Sequence, residues 1–464
     1  MTELWATGAC ELARLVRARE VSAREVVQAH LDRIAQVNPA LNAVTVVLGE
    51  DALRAADAID AALRQDGLAG PLGGVPMTVK ENIDVAGSAT TLGIAALRDA
   101  VAGRDAPHIG ELRAAGAIPL GRANMPEFGM RWHTASALRG TTRNPWSARH
   151  TPGGSSGGDA AAVASGMVPL GMGNDGAGSL RWPAACCGVA ALKPSLGRVP
   201  QGGHSAPFAF QLLAVHGPIA RQVADLRLAF AHMCGRAGGD PWYAPVPLEG
   251  PPMPAPLRVW VITDPGTPVD PSVAAAVRRA AVLLADAGYI VEEGQPPALE
   301  RAVEIYHQIM SAWGRVAEHQ PPVETVAPGD FARFWALFEP AWTAAAGSAA
   351  FDPMMERAAI ARAWHAWMAR APLVLAPVCG RRPFQVGADL DPEWLDGWPP
   401  ALRMSVAVNL LGLPAVTVPV GIDGGLPQAV QLIGPRFRED LCLDAAAAIE
   451  AATGPLTPID PHAG

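Results

Sequence analysis

Apolar side chains recur along the chain at two spacings, one typical of helices and one typical of strands. Helical spacing predicts helices over about 22–38, 50–64, 111–115, 273–287 and 441–452. Short apolar runs predict strands over 77–79, 117–120, 257–262, 415–420 and 429–433. The first helix begins at a capping box formed by Ser22 and Glu25 and ends near Asn38-Pro39. Because helical and strand patterns alternate, we expect an α/β fold.

Two long segments carry little charge. Segment 150–200 is rich in Gly, Ser and Ala, and its acidic residues are Asp159 and Asp175, so we expect it to be largely buried with tight backbone turns. Segment 404–422 is apolar and long enough to cross a membrane, but glycines and prolines interrupt it. We interpret that segment as a buried helix or turn that leads into a strand.

Composition excludes several classes of protein. Half of the 464 residues are apolar, which allows a large core, and the net charge of −8 argues against nucleic acid as a partner. No secretory signal is evident, and the six cysteines form neither a disulfide framework nor a CxxC motif. We expect a cytoplasmic protein with reduced thiols, no membrane partner, no cofactor and no metal. A homodimer is one assembly considered.

Only two of the 36 basic residues are lysines, Lys80 and Lys193. Arginine replaces lysine at most surface positions, but it cannot do so where the amine must lose its proton. Lys80 ends a predicted strand after an apolar run, where burial favours a neutral amine. The skew therefore makes these two lysines candidates for a catalytic base.

Two glycine motifs suggest other chemistries, but neither has the context that it requires. Residues 153–157 fit the G-x-S-x-G of a nucleophile elbow, yet the preceding residues 143–152 are polar and contain two prolines where a buried strand is needed. Residues 171–176 fit G-x-G-x-x-G, but no acidic residue follows at the spacing of a ribose ligand, and Pro183 interrupts the next helix. We predict neither an α/β-hydrolase elbow nor a dinucleotide site.

A wider set of motifs accounts for the whole glycine-serine block. The block 151–158 is followed by Gly178-Ser179 and Lys193-Pro194, and the run 73–82 stands upstream. Further motifs lie at 38–43, 124–128, 144–145, 412–414 and 431–434. Together they resemble the amidase signature family, whose serine hydrolases use a Ser–cisSer–Lys triad.

The resemblance covers most of the chain and implies the architecture. It implies an α/β amidase signature fold, in which helices cover both faces of a central mixed β-sheet and a variable helical region forms a cap. A single domain, 1–464, is expected. Its segments are N-terminal helices (1–65), a catalytic core (66–234), a variable substrate-covering region (235–400) and a return to the core sheet (401–464).

The same resemblance implies the catalytic residues of an amidase. Ser179 would be the nucleophile that forms an acyl-enzyme, Lys80 the base, and Ser155, which follows a cis peptide bond in the family, the bridge between them. Backbone N–H groups of 176–179 would form the oxyanion hole; they belong to Gly176, Ala177, Gly178 and Ser179. Lysine suits this role because none of the 11 histidines lies in the glycine-serine block.

Neighbouring residues carry weaker expectations. We interpret Lys193 as structural, and Asp175 with Arg181 either as support for the loop or as a buried ion pair. Ser156 either joins the triad or caps the turn, and Cys187 is expected in the core. Many family members have glycine where this chain has Ala177, whose side chain disfavours positive φ, so the geometry of the oxyanion loop or the pocket width could differ.

The expected substrate is a small amide with an apolar or aromatic acyl group. Met130, Trp132 and Trp182 are the predicted pocket residues, and Trp146 is a further candidate. Seven tryptophans in the variable region either cover this pocket or fill core space: 313, 335, 342, 364, 367, 394 and 398. A glutaminase-type subunit of an amidotransferase, an esterase or hydrazide hydrolase, and an inactive binding module remain alternatives. The intact set of two serines and a lysine argues against the last.

Overall fold

The computed structural model describes residues 3–65, 67–202, 208–235, 239–316, 323–344 and 352–462. The helices are α1 Ala9–Arg17, α2 Ala23–Leu41, α3 Gly49–Arg64, α4 Pro107–Ala114, α5 Gly157–Ala164, α6 Arg181–Cys187, α7 Phe208–Leu213, α8 Val223–Met233, α9 Pro271–Asp286, α10 Leu299–Val316, α11 Val323–Val326, α12 Asp330–Ala344, α13 Asp352–Met368, α14 Pro392–Asp396, α15 Arg403–Leu411 and α16 Glu439–Thr453. The strands are β1 Val44–Val47, β2 Pro76–Lys80, β3 Ile118–Ala123, β4 Ala135–Ser136, β5 Gly140–Thr141, β6 Leu170–Asp175, β7 Ala190–Lys193, β8 Val215–Ala220, β9 Arg258–Val261, β10 Ile290–Glu293, β11 Leu373–Pro377, β12 Ala415–Asp423 and β13 Leu426–Ile433.

A mixed sheet of eleven strands organises the described residues. Its order is β1-β3-β2-β6-β8-β7-β12-β13-β11-β9-β10, and β4 pairs with β5 separately. Strand β2 is parallel to both β3 and β6, whereas β8 is antiparallel to β6. Carboxyl ends of adjacent parallel strands meet at one edge of a sheet. Val79 pairs with Met172, so the carboxyl ends of β2 and β6 lie at the same edge of the sheet.

Helices flank this sheet, as expected for the α/β class. Helix α6 packs on β12 and β13, and α9 and α16 pack on the same strands and on each other. Strands β2, β6, β7 and β11 are buried along almost their whole length. Strands β2, β6 and β7 begin with apolar residues or glycine and end in a buried charged residue: Lys80, Asp175 and Lys193. The predicted fold class is confirmed.

The predicted elements are confirmed with shifted ends. Ser22 caps α2 through the expected box with Glu25, but the helix continues through Pro39 to Leu41. Pro39 does not end it, because tertiary packing can outweigh the local preference of proline. Segment 404–422 folds as expected, with the buried helix α15 leading into β12. None of the described helices is both long and apolar enough to cross a bilayer.

The variable region does more than cover the sheet. Strands β9, β10 and β11 all lie between 235 and 400 and form one edge of the sheet. The division of the single domain into four segments stays a prediction.

Residues 171–175 of the rejected dinucleotide motif form strand β6 itself, so these glycines are not a loop between a strand and a helix.

Candidate active site

The glycine-serine block turns tightly between β5 and α5. The peptide bond between Gly154 and Ser155 is cis. A Cβ atom at Gly154 would collide with the carbonyl oxygen of Arg131, and one at Gly158 with backbone atoms of Asn124. These glycines let the block pass directly against neighbouring backbone, and Ser155 is thereby buried beside the end of β2.

Lys80 ends β2 and joins Ser155 in a hydrogen-bonded network. The Lys80 Nζ lies 2.8 Å from Ser155 Oγ and 2.7 Å from Asn174 Oδ1. The Asn174 side-chain amide donates to Asn82 Oδ1 at 2.9 Å. Because the amide of Asn174 is already used as a donor, its oxygen faces the amine and accepts from it.

Burial changes the charge of this amine. Lys80 is fully buried, and burial lowers its pKa to about 7, although the nearby carboxylates of Asp159 and Asp175 oppose the shift. A large fraction of Lys80 is therefore neutral near neutral pH and can accept a proton from the Ser155 hydroxyl. The expectation of a neutral lysine from the apolar sequence before it agrees with this direction.

Ser179 follows a loop that a buried ion pair holds. Asp175, the last residue of β6, receives two bonds of 3.0 Å from the Arg181 guanidinium and also accepts from the Leu180 N–H. Burial alone would raise the pKa of Asp175, but the Arg181 charge holds it well below its usual range. Both expectations for this pair apply, since it is a buried ion pair and it supports the loop.

Ser179 is half-buried and lines the same cavity as Ser155. A hydrogen bond from Ser155 to Ser179, the second half of the expected chain, is not among the side-chain contacts of the described residues. The catalytic assignment of the two serines therefore stays a proposal. Their shared cavity wall is the geometric observation that supports it.

One of the four N–H groups expected in the oxyanion hole is bonded to another residue. The Gly178 N–H donates to Asp175 Oδ1 at 2.7 Å, so in this structure it is engaged within the protein. Within the described part of the chain, the N–H groups of Gly176, Ala177 and Ser179 donate to no protein acceptor. These three residues also line the cavity, and they remain the candidate donors.

Ala177 causes no backbone strain. Positive φ in this loop occurs at Gly178, with φ of 110°, and not at Ala177. The position that requires glycine is therefore 178, one residue after position 177, where many family members have glycine. A side chain tolerates a φ of this kind poorly. The effect of Ala177 is instead its methyl group, which lines the cavity and narrows it.

The cavity in front of these residues has a volume of about 900 Å³, open solvent at its mouth included. Its described lining consists of Asn82, Phe128, Gly129, Met130, Arg131, Trp132, Ser155, Asn174, Gly176, Ala177, Ser179, Phe210, Ala214, Tyr306, His307, Met310, Phe338, Pro399, Leu402 and Val406. Most of these side chains are apolar or aromatic. Arg131 is the charged group among them, and it is already paired with buried Asp389 at 2.6 Å.

The structure separates the predicted pocket residues into two groups. Met130 and Trp132 line the cavity. Trp182 lies behind it, in edge-to-face contact with Trp398, and Trp146 donates to a core carbonyl, so both fill core space. Trp182 is not among the described residues that line the cavity, because the apolar face of α6 packs inward on the sheet.

The tryptophans of the variable region mostly belong to the core. Among tryptophans with described side chains, Trp132 alone lines the cavity. Trp364 and Trp398 are completely buried, and Trp367 stacks on Trp260. The side chains of Trp313 and Trp342 lie outside the described residues. The region still covers the cavity, but through Tyr306, Phe338 and their neighbours.

Three further expectations have structural answers. Lys193 is buried outside the cavity lining, and its amine donates to the Pro194 carbonyl at 2.8 Å, as expected for a structural residue. The Ser156 hydroxyl donates to the Asn174 carbonyl instead of capping α5. Cys187 is buried in the core as expected.

Sequence reasoning missed Asn82, Asn174 and Tyr306. Asn82 follows Lys80 by two residues in the run 73–82, and this closeness in the sequence is a signal for its role. Asn174 belongs to the glycine motif 171–176 and meets Lys80 only through folding. Tyr306 lies 130 positions from its partner, Gly176, and only tertiary folding brings them together. No group of three or more His, Cys, Asp or Glu side chains able to hold a metal ion occurs among the described residues.

Comparison with known proteins identifies the family. A family model described as Amidase matches residues 25–443. The chain belongs to the amidase signature family. The indoleacetamide hydrolase of Bradyrhizobium diazoefficiens is 41% identical over 463 residues, which cover 98% of this chain and 88% of that protein. The amidase is therefore an enzyme that hydrolyses amide C–N bonds.

Two other similar proteins show the range of the family. A glutamyl-tRNA(Gln) amidotransferase subunit of Moorella thermoacetica is 34% identical, with 97% of each chain covered. The structure of 6-aminohexanoate cyclic dimer hydrolase in complex with its substrate has a TM-score of 0.85 and 31% identity, with 99% of each chain covered. The amidase thus shares its whole fold with enzymes that act on different amides.

Proposed function

We propose that the protein hydrolyses primary amides of aryl-substituted carboxylic acids, such as aryl-acetamides, through an acyl-enzyme on Ser179. The observation that carries the proposal is the position of two serines on the wall of an aromatic cavity, with a buried lysine 2.8 Å from one of them. The relative that acts on indoleacetamide supports the choice of an aromatic acyl group.

The chemistry proceeds in two halves. Neutral Lys80 accepts the proton of Ser155, which takes the proton of Ser179 as the Ser179 oxygen attacks the amide carbonyl. The N–H groups of Gly176, Ala177 and Ser179 stabilise the developing oxyanion. The proton returns through Ser155 to the leaving nitrogen, ammonia departs, and the acyl-enzyme remains. Water, deprotonated by the same relay, then attacks the acyl carbon; the ester bond to Ser179 breaks, the relay returns the proton to the Ser179 oxygen, and the acid is released.

The cavity favours an aromatic acyl group on physical grounds. The rings of Trp132 and Phe338 pack edge to face with their centroids 5.5 Å apart, and Phe128 lies in the same wall. Burying an aromatic ring against such side chains is favourable, and ring–ring contacts add about 0.5–1.5 kcal/mol each. A small aliphatic amide would leave most of this surface uncovered.

The test compares amide substrates on the wild-type enzyme and on Ser179→Ala. We expect kcat/KM to be highest for aryl-acetamides, lower for long aliphatic amides, and lowest for acetamide and glutamine. Ser179→Ala should remove hydrolysis of all of them. A higher kcat/KM for acetamide or glutamine than for aryl-acetamides would contradict the substrate class, and an active Ser179→Ala would contradict the mechanism.

A glutaminase role is the second candidate, because an amidotransferase subunit is 34% identical over the whole chain. Glutamine carries a carboxylate and an ammonium group that need charged partners in a cavity. The described lining has a single charged side chain, Arg131, which Asp389 already neutralises. The aromatic amide therefore fits the site better. Glutaminase activity that rises when partner subunits are added would favour the second candidate.

The same acyl-enzyme could form from esters and hydrazides, since all three deliver the same acyl group to Ser179. Matched aryl-acetyl amide, ester and hydrazide substrates separate these activities. We infer that the amide is a natural substrate because Ser155 can return a proton to a poor leaving group. An enzyme that hydrolyses the ester and not the amide would contradict this inference.

We also propose that the enzyme acts in the cytoplasm, with a homodimer as the candidate assembly. All six cysteines are unpaired, which suits a reducing compartment. Cell fractionation tests the compartment, and recovery in the periplasmic or membrane fraction would contradict it. Light scattering on the purified protein tests the assembly.

A further inference from the structure

Tyr306 connects the variable region to the loop that carries the nucleophile. It lies on α10, its side chain is buried, and its hydroxyl donates to the Gly176 carbonyl at 3.0 Å. Burial and the nearby Asp175 charge raise the pKa of Tyr306, so the phenol stays protonated and is a donor. The oxygen of Gly176 is therefore held in one direction.

A trans peptide unit fixes two groups at once. The carbonyl of one residue and the N–H of the next point in opposite directions because the unit is planar. Holding the Gly176 carbonyl therefore also fixes the direction of the Ala177 N–H. That N–H has no protein acceptor within the described residues, and Ala177 lines the cavity.

The other peptide units of the loop are held from nearby segments of the core. The Gly178 carbonyl accepts from the Trp182 N–H at 2.7 Å, and the Ser179 carbonyl accepts from the Ser156 N–H at 3.2 Å. The Gly178 N–H donates to Asp175. Among these described contacts, the unit between Gly176 and Ala177 is the one held by a helix of the variable region.

We propose that Tyr306 is a positioning residue that orients the Ala177 N–H as an oxyanion donor through its hydrogen bond to the Gly176 carbonyl. The inference rests on the proposed acyl-enzyme at Ser179. Helix α10 would then influence catalysis through Tyr306, and it also contributes His307 and Met310 to the cavity wall. Packing of α10 is thereby coupled to transition-state stabilisation as well as to substrate binding.

The substitution Tyr306→Phe isolates the hydroxyl, since the ring and its packing are retained. We expect kcat to fall about tenfold to a hundredfold, below the loss from deleting a whole oxyanion donor, because the Ala177 N–H is misdirected and not removed. KM for an aryl-acetamide should change by less than about threefold, because ground-state binding depends on the cavity wall. The melting temperature reports whether the variant folds.

A transition-state analogue gives the readout that a structural role would not move. An aryl-alkyl boronic acid forms a tetrahedral adduct with a serine and places an oxygen in the oxyanion hole. Its affinity should fall in Tyr306→Phe by the same factor as kcat, while the affinity of the carboxylic acid product stays the same. The pH at which kcat/KM rises to its plateau should not change, since Lys80 and Ser155 are untouched.

Tyr243→Phe is the matched control, because the Tyr243 hydroxyl also donates to a backbone carbonyl at 3.0 Å, that of Cys234, away from the cavity. It should leave kcat and boronate affinity unchanged. Wild-type kcat in Tyr306→Phe, or equal losses of affinity for boronate and product, would overturn the inference. If Ser179→Ala kept its activity, the proposed function would fail instead, so the two failures are distinguishable.

Discussion

The amine of Lys80, at the end of a buried strand, lies 2.8 Å from the hydroxyl oxygen of Ser155, and Ser155 lines the same cavity as Ser179. A buried amine beside a hydroxyl can act as a base only if it is neutral. Burial lowers its pKa to about 7, which brings the neutral form into the physiological range. Several measurable consequences depend on this pair.

The substitution Lys80→Arg should keep the charge and abolish most of the activity. A guanidinium cannot lose its proton at any pH at which the enzyme is folded. We expect kcat/KM to fall by at least about 10²-fold, the range of general-base catalysis, at every pH from 6 to 9. Steady-state kinetics on an aryl-acetamide measure the loss.

The other lysine provides the control for that experiment. Lys193→Met removes a second buried amine, whose bond to the Pro194 carbonyl lies outside the cavity lining. This variant should retain activity with an unchanged pH profile, even if its melting temperature shifts. Loss of the acid limb in Lys193→Met would mean that the base had been assigned to the wrong lysine.

The pH profile should show an acid limb near pH 7. The neutral form of Lys80 is the active one, so kcat/KM rises with pH as the amine loses its proton and then levels off. Asp159 is buried nearby; burial raises its own pKa, and in its ionised form its negative charge raises the pKa of Lys80 against the effect of burial. Asp159→Asn should therefore shift the limb to lower pH. Asp225→Asn, at a buried carboxylate that binds the Cys10 N–H, is the control and should leave the limb in place.

Two neighbouring positions of the oxyanion loop should respond differently to one methyl group. Gly178→Ala forces a side chain into φ of 110° and brings its Cβ to 3.3 Å from Ser405, so we expect a loss of about 1–3 kcal/mol in the free energy of unfolding together with reduced kcat. Ala177→Gly should lower the free energy of unfolding by at most about 1 kcal/mol. Denaturant unfolding and kinetics on both variants test this order, and equal effects would contradict it.

Buried histidines should make the protein sensitive to acid. Burial lowers the pKa of His30, His133 and His216 to about 4, whereas the unfolded chain protonates near 6.5. Below pH 6.5 the unfolded state binds more protons, so the free energy of unfolding falls as the pH drops from 6.5 to 4. Each histidine accounts for a loss of about 3 kcal/mol over that range. Urea unfolding at several pH values measures the slope, which His30→Leu should make shallower.

Trp132 should determine the preference for aromatic amides. Trp132→Leu removes ring surface from the cavity wall, and we expect the ratio of kcat/KM for aryl-acetamide to that for acetamide to fall by about 10-fold or more. Trp367→Leu, at a ring that stacks on Trp260 outside the cavity lining, is the control. A ratio that does not change in Trp132→Leu would show that the acyl group lies elsewhere.

Local sequence patterns were enough to predict the main elements. Helical and strand periods predicted α2, α3, β2, β12 and β13, because these signals depend on residues that are close in the chain. The isolation of Lys80 and Lys193 among 36 basic residues narrowed the candidate base to two residues. The resemblance of the glycine-serine block and its flanking motifs to the amidase signature family then implied a serine hydrolase that uses a lysine.

Which of those residues meet depends on tertiary folding. The fold puts Trp132 in the cavity wall and Trp182 behind it, although the two look alike in sequence, because the direction of a side chain depends on the packing of its element. It engages the Gly178 N–H with Asp175 and brings Tyr306 from α10 onto Gly176. Contacts between residues far apart in the chain depend on the assembled sheet and the helices around it, so local sequence patterns do not predict them.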